Sequence, residues 1–323
     1  MKVLITSGGG AKGAFSVGVL RHMKDDLGIS NFDLISGTST GALIASLASI
    51  GDINTLANIY LNTTNADILK PQNLVDAIVG GKPFVYNTDP LMKQIDQNIN
   101  PGTFQSIMNS NCTLCFNAVS LQSGRVTVFA TKNIAQASQY DTKIITSRDM
   151  FIKALLASSN QAVFMNPINI GSDDYVDGGN REVVPTRVVV QNLDTDENHE
   201  VYIISNNPND LLQFPGKKYS SILDVLIRAI NMFVQEVREN DLEVMAKYKT
   251  FFDLNKQAPN LKMKIFYFCP EFDLDPEFST GLRFERGRML QWMSTGKRIA
   301  DQIFQASPNG NFPMFHPANP PIV

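Results

Sequence analysis

The sequence predicts an α/β fold: a three-layer sandwich with a mostly parallel central sheet and covering helices. Two observations carry this. Residues 1–50 run strand, glycine turn and helix, then repeat that order, and a βαβα succession is the signature of parallel pairing. Apolar runs of strand length then alternate with helical stripes down the rest of the chain.

Composition sets the bounds. The chain has 323 residues, 43% hydrophobic and 18% charged, enough to bury a full-sized core. A net charge of −3 lacks the basic footprint of a nucleic-acid binder, so no nucleic-acid partner is expected. No run approaches the roughly 18 apolar residues of a membrane span. Met1 to Thr6 meets glycine too soon for a signal peptide's apolar region. Three cysteines, Cys112, Cys115 and Cys269, argue against a disulfide scaffold and fit a reducing, cytoplasmic setting. With no repeat or linker, one domain over 1–305 is expected, followed by an extended proline-rich tail over 306–323.

The first strand, Lys2 to Thr6, enters Ser7-Gly8-Gly9-Gly10-Ala11-Lys12-Gly13, and a helix then carries Val17, Val19, Leu20 and Met23 until Gly28. The loop formally contains G-x-G-x-x-G. A dinucleotide site would need an acidic residue ending the second strand, but Asp33 precedes that strand. A Walker A loop fails as well, because Lys12 comes before Gly13. Two readings remain: a glycine turn that lets helix pack on strand, or a cradle of backbone N–H groups for negative charge.

The second strand runs through Leu34 and Ile35 into Gly37-Thr38-Ser39-Thr40-Gly41 and a small-residue helix. This is the G-x-S-x-G elbow, a sharp turn that lifts a serine oxygen clear of the backbone. Gly37 and Gly41 answer the close pass of strand and helix. A helical pattern covers Ala42 to Tyr60. Asn62 to Asn100 then mixes turns with short helices such as Pro90 to Ile99, as a cap or insertion would. Its apolar residues Ile68, Leu69, Leu74, Ile78, Phe84 and Val85 are candidates for an acyl channel, although plain core is the simpler assignment.

Cys112 to Val119 and Arg125 to Ala130 read as paired strands. Cys112 and Cys115 form C-x-x-C, but positions three apart on a strand face opposite sides, so buried thiols are expected and no metal site. Asp149 to Ser159 is a helix. Tyr175-Val176-Asp177-Gly178-Gly179 reads as a core strand ending in an aspartate and a glycine turn. Val188 to Val190, Val201 to Ser205 and Lys262 to Phe268 are further strand candidates. Tyr219 to Phe252 is the longest helical stretch, its Ile222, Leu226, Ala229, Phe233, Val237 and Met245 spaced for one buried face, for which core is favoured over membrane contact. Leu282 to Phe304 is the last helix.

Taken in order, Gly8 to Gly13, Gly37 to Gly41 and Asp177-Gly178-Gly179 closely resemble the patatin-like phospholipases, a family of lipid acyl hydrolases. The block Ala157-Ser158 with Pro167, and Met293 to Gly296 in the last helix, extend the likeness over about residues 1–305. Lys12 stands where arginine is common in the family, and Ala162 where proline is usual. The resemblance implies a patatin-like fold, with Ser39 as nucleophile and Asp177 as its base. It places the oxyanion hole on Gly8, Gly9, Gly10, Lys12 and Gly13. Gly37, Gly41, Gly178 and Gly179 support the motifs.

Most serine hydrolases use a histidine base. Here His22 lies within the first helix, His199 beside an acidic loop and His316 in the tail. None ends a core strand, so Asp177 acting directly on Ser39 is the favoured arrangement. The expected activity is a serine lipid acyl hydrolase, of phospholipase A or lysophospholipase type, on phospholipid or another acyl-ester lipid. The alternatives are an acyltransferase using the same acyl-serine and a silent lipid- or partner-binding fold. No cofactor or metal is expected. A peripheral membrane surface is a further expected partner, to which Arg283, Arg286, Arg288, Lys297 and Arg298 would contribute. The favoured reading of those five cations is nevertheless a solvated helix face beside Glu285 and Asp301.

Overall fold

The structure is a computed structural model that describes residues 1–68, 70–71, 86–162, 164–211, 213–255, 260–276 and 281–312. In chain order, β1 (Lys2–Thr6) passes through a 3-10 turn (Gly10–Gly13) into α1 (Ala14–Asp25), and β2 (Leu34–Thr38) passes into α2 (Thr40–Ala48). The helices α3 (Ile53–Asn62) and α4 (Asn65–Ile68) follow, then β3 (Lys70–Pro71) and β4 (Tyr86–Asn87), which pair antiparallel. The expected single helix over 42–60 is therefore two. Gly51, at φ 68°, turns the chain between them.

Next come α5 (Asp89–Asn98), α6 (Pro101–Asn109), β5 (Thr113–Ser120), β6 (Val126–Ala130), β7 (Tyr140–Ile144) and α7 (Arg148–Ser159). The strands β8 (Ile168–Ile170) and β9 (Asp173–Asp177) lead into a 3-10 turn (Gly178–Asn180) and α8 (Thr186–Gln191). The chain ends with β10 (His199–Ile204), α9 (Ile222–Asp253), β11 (Met263–Phe268) and α10 (Arg286–Ala306). The last helix begins four residues later than its apolar pattern suggests.

The sheet order is β11-β10-β1-β2-β5-β6-β7, parallel from β11 through β5. Alternation along the strands divides the interior in two. Leu4, Ile35 and Tyr202 pack with α1, α2, α7 and α10 on one face, while Val3, Ile5, Val201 and Ile203 pack with α8 and α9 on the other. Helix, sheet and helix make the three layers. Cys112 joins the first cluster and Cys115 the second, as the strand period requires.

Two expectations are corrected. Val188 to Val190 is not a strand: it lies in α8, which buries Val188 and Val189 against the second face. A three-residue apolar run is too short to show either period. The stripe on α9 is buried only at its far end, where Met245 is enclosed, whereas Ile222 is 90% and Phe233 68% exposed. Of the cap candidates Ile68 is buried, and Leu69, Leu74, Ile78, Phe84 and Val85 lie outside the described residues. The tail is described only as far as Phe312, which packs on Tyr267 while its N–H and that of Asn311 donate to the Ile265 carbonyl.

Candidate active site

Ser39 sits between β2 and α2 with φ 58° and ψ −129°, the one non-glycine residue at positive φ among the described residues. That conformation is sterically costly and persists only when its surroundings impose it. Crowding imposes it here. A Cβ on Gly37 would lie 2.4 Å from the Gly41 carbonyl, and one on Gly41 would lie 2.2 Å from the Thr6 carbonyl. Two serines from the end of α7 grip the turn. The Ser39 N–H donates to Ser158 Oγ at 3.0 Å, and Ser159 Oγ donates to the Ser39 carbonyl at 3.3 Å.

Strand β5 brings the aspartate to this turn. Strand β2 climbs one edge of β5 in parallel and stops with Thr38 opposite Asn117. Strand β9 descends antiparallel and stops with Asp177 opposite Ala118. The other edge of β5 is occupied at that level by β6, so β2 and β9 share an edge and end nose to nose. The Ser39 side chain consequently comes close enough to the Asp177 carboxylate to draw its pKa down. Asp177 is 8% exposed, and burial pushes its pKa from 3.8 up to about 6, against the opposing pull of the Ser39 hydroxyl and the Gly179 N–H. Asp177 Oδ1 accepts from that N–H at 2.7 Å, and the Asp177 N–H donates to the Asn160 carbonyl at 2.8 Å. Gly178 lets the turn lie against β5, since a Cβ there would meet the Asn117 carbonyl at 2.4 Å.

The glycine loop passes over the same site, with Gly8 packed so that a Cβ would stand 3.1 Å from Ser39 Cβ. Its N–H groups are unequally occupied. That of Gly8 donates to the Val183 carbonyl at 3.3 Å, while those of Gly9 and Gly10 find no acceptor among the described residues. Asn206, just past β10, holds the loop in this attitude: its Nδ2 donates to the carbonyls of Ser7 (2.9 Å) and Gly8 (3.3 Å). Gly10 has φ 57° and runs so close to Gly281 that a Cβ would lie 2.1 Å from its carbonyl, which accepts the Ala11 N–H at 2.7 Å. The Lys12 ammonium is held in a buried ion pair with Asp273 at 2.8 Å and a bond to Asn207 Oδ1 at 3.1 Å, all three residues lining the cavity described next. Gly13 lies behind the loop against Tyr60 and Thr40, off the cavity wall.

Ser39, Asp177 and Gly8 to Gly10 open onto a cavity of about 360 Å³. One side is apolar, formed by Leu43, Leu47, Leu56, Ile59, Leu91 and Ile95, and Ile68 joins it. The other side, where α9 passes, is mixed, with Asn207, Asn231, Gln235 and Arg238 beside Leu226, Ile230 and Val234. Neither described histidine reaches this space. His22 Nδ1 is bonded to Asp26 at 2.8 Å between α1 and α10. His199 opens β10 at the opposite end of the strands and bonds to the Asp194 carbonyl at 2.6 Å. With about 3.3 Å per strand residue, that is roughly a strand's length from Ser39. His316 lies outside the described residues. Among the described residues no three His, Cys, Asp or Glu side chains converge as metal ligands, and no helix is long and apolar enough to cross a membrane.

A family model described as patatin-like phospholipase matches residues 4–190, more than half of the chain. The chain belongs to the patatin-like phospholipase family. An uncharacterized protein of Acanthamoeba polyphaga mimivirus is 27% identical over 213 residues, 65% of this chain and 68% of the viral one. A cGAMP-activated phospholipase of Escherichia coli (strain TW11681) is 28% identical over 142 residues, 41% of this chain and 39% of that one. A cUMP-AMP-activated phospholipase of Escherichia coli is 49% identical over 53 residues, only 16% of this chain and 17% of that one. The chain thus spans less than half of either bacterial relative.

In this patatin-like domain several positioning groups escaped the sequence reading. Ser159, Asn160 and Asn206 lie at the ends of α7 and β10, at the same edge of the sheet as Ser39. A polar residue ending an apolar element was the available signal. Asp241 gave a second one, as an acid in the buried part of α9: its Oδ2 accepts the N–H groups of Val183 (2.7 Å) and Val184 (3.0 Å), fixing the segment after the Asp177 turn. The basic residues in and just before the last helix are largely spent. Arg283, Arg288, Lys297 and Arg298 each pair with a carboxylate.

Proposed function

We propose that this chain is a serine lipid acyl hydrolase, of phospholipase A or lysophospholipase type, working through a Ser39–Asp177 dyad. The observation that carries the proposal is the strained serine whose hydroxyl meets a buried carboxylate with no histidine nearby among the described residues. Ser39 Oγ attacks the ester carbonyl as its proton passes to Asp177. The carbonyl oxygen, now negative, is received by the N–H groups of Gly9 and Gly10. Asp177 then gives the proton to the departing alcohol; water, passing a proton to Asp177, attacks the acyl-serine, and Asp177 returns that proton to Ser39 Oγ as the acid leaves. A carboxyl with a pKa near 6 is ionised at neutral pH yet more basic than an exposed aspartate, which suits it to this work. The apolar wall of the cavity matches an acyl chain, and the polar groups of the mixed wall a head group.

The test is product release from phospholipids, lysophospholipids and short-chain esters by the parent and by Ser39→Ala. Free fatty acid is expected from the parent, none from the variant, and fluorophosphonate labelling at Ser39 alone. Labelling at another serine, or undiminished turnover by Ser39→Ala, would overturn the assignment. Transfer of the acyl group to an added alcohol in preference to water would make the enzyme an acyltransferase.

A further inference from the structure

Helix α9 has two apolar sides, and only one of them is accounted for. Over its first turns Ile230, Asn231, Val234, Gln235 and Arg238 face the cavity. On the far side Ile222 is 90% exposed, Val225 54%, Met232 45% and Phe233 68%. With 3.6 residues per turn, positions 222, 225, 226, 229, 232 and 233 fall within an arc of about 120°, roughly opposite the cavity-facing positions. An apolar stripe of that width normally marks a buried face. Here it looks outward, and large exposed apolar patches mark interaction surfaces.

We propose that this outer face of α9, resting on the lipid-hydrolase reading above, docks on a lipid membrane surface. Three features favour lipid as the occupant. The face is continuous with the cavity that holds Ser39: Leu226, 36% exposed, belongs to both, so an ester leaving the bilayer there is already at the cavity mouth. Lys217 and Lys218 stand exposed just before the helix, as a negatively charged interface favours. Lys217 also lies over the rings of Phe214 (4.6 Å) and Tyr219 (5.2 Å), an aromatic and cationic pairing suited to the head-group layer. Of the nearby carboxylates, Asp224 falls off the arc, while Glu236 lies on it and ends the apolar stripe about one turn beyond Phe233. Phe272, 82% exposed, neighbours the cavity-lining Asp273 and gives the mouth a second apolar projection.

The experiment is flotation of the full chain with phosphatidylcholine vesicles, with and without phosphatidylglycerol, comparing the parent with the double variant Ile222→Asp, Phe233→Asp. The parent is expected to float, more so with the anionic lipid. The variant should bind on the order of a hundredfold more weakly, having lost two large apolar side chains from the interface. Hydrolysis of a soluble short-chain ester should be unchanged, since neither residue lines the cavity. Hydrogen exchange on the parent should show residues 222–233 protected by vesicles, a readout that does not depend on the variant's folding. Unaltered flotation of the variant, or no protection at 222–233, overturns the proposal. A parent dimer in sedimentation that the double variant splits, without vesicle binding, would assign the face to a second copy and overturn it equally. Vesicle binding by a parent that cleaves no ester would instead sink the hydrolase reading and leave this surface standing.

Discussion

The backbone N–H of Ser39 donates to the hydroxyl of Ser158 at 3.0 Å, so the strained serine is held by a side chain far from it in sequence. With Ser159 Oγ on its carbonyl at 3.3 Å, both polar backbone groups of the turn have a partner from α7. Ser158→Ala should let the turn relax. The expected result is a fall in kcat of roughly tenfold, with KM little changed, because ester binding uses other walls of the cavity. Steady-state kinetics on a short-chain ester would check it. A rise in KM at constant kcat would show that Ser158 binds substrate instead of positioning Ser39.

Asp177→Asn should stop turnover, since an amide cannot accept the serine proton. Loss of a general base commonly costs about 10²- to 10⁴-fold. The same substitution should stabilise the fold. The Asp177 pKa is raised from 3.8 in the unfolded chain to about 6 in the folded one. Its favourable contribution is therefore complete below pH 3.8 and is lost as pH rises through 6. At pH 8 the ionised carboxylate costs the fold about 3 kcal/mol, at about 1.4 kcal/mol per pKa unit. Asp177→Asn should thus melt higher than the parent at pH 8 and lose that advantage below about pH 4. Thermal melts at the two pH values would decide it.

The pH profile of kcat/KM should show an acid limb near pH 6, where Asp177 loses its proton. A histidine base could produce a limb in the same region, so the profile needs a control. Changing His22 and His199 to glutamine should leave turnover well short of the roughly 10²-fold loss that removing a base entails, provided the variants fold. Each sits in its own hydrogen bond away from the cavity. A folded variant that fell by that factor would transfer the role of base from Asp177 to histidine.

Gly10→Ala should abolish activity and destabilise the protein. The new Cβ would stand 2.1 Å from the Gly281 carbonyl, at a residue whose φ of 57° side chains resist. Gly28→Ala is the comparison: φ is 68° there, but nothing lies within 4 Å. Strain alone, about 1–2 kcal/mol, is expected at Gly28, with turnover kept. Melting curves beside activity would separate the two.

What could be read from the chain followed from range. The turn at Ser39 is local: two glycines, a strand before and a helix after, all within a dozen residues. Asp177 announced itself by the glycines behind it. Ser159 and Asn206 did not, because their partners, Ser39 and the Ser7 to Gly8 carbonyls, are remote, and a polar residue ending an apolar element is too common a mark to single them out. The valines of α8 were misassigned because so short a run carries no period. The stripe on α9 was correctly periodic and wrongly interpreted. Period shows that a helix has an apolar face, and it is silent on what lies against that face.

The end-to-end meeting of β2 and β9 on one edge of β5 has a consequence for how such a chain can change. The gap between serine and aspartate is gauged by adjacent positions of a single strand, Asn117 and Ala118. Among the described residues, α3, α4 and α5 line the cavity without pairing with β5. On the hydrolase reading proposed above, they are free to vary with the acyl chain while Ser39 and Asp177 stay in register. Chemistry and substrate choice would then be inherited through different stretches of the chain.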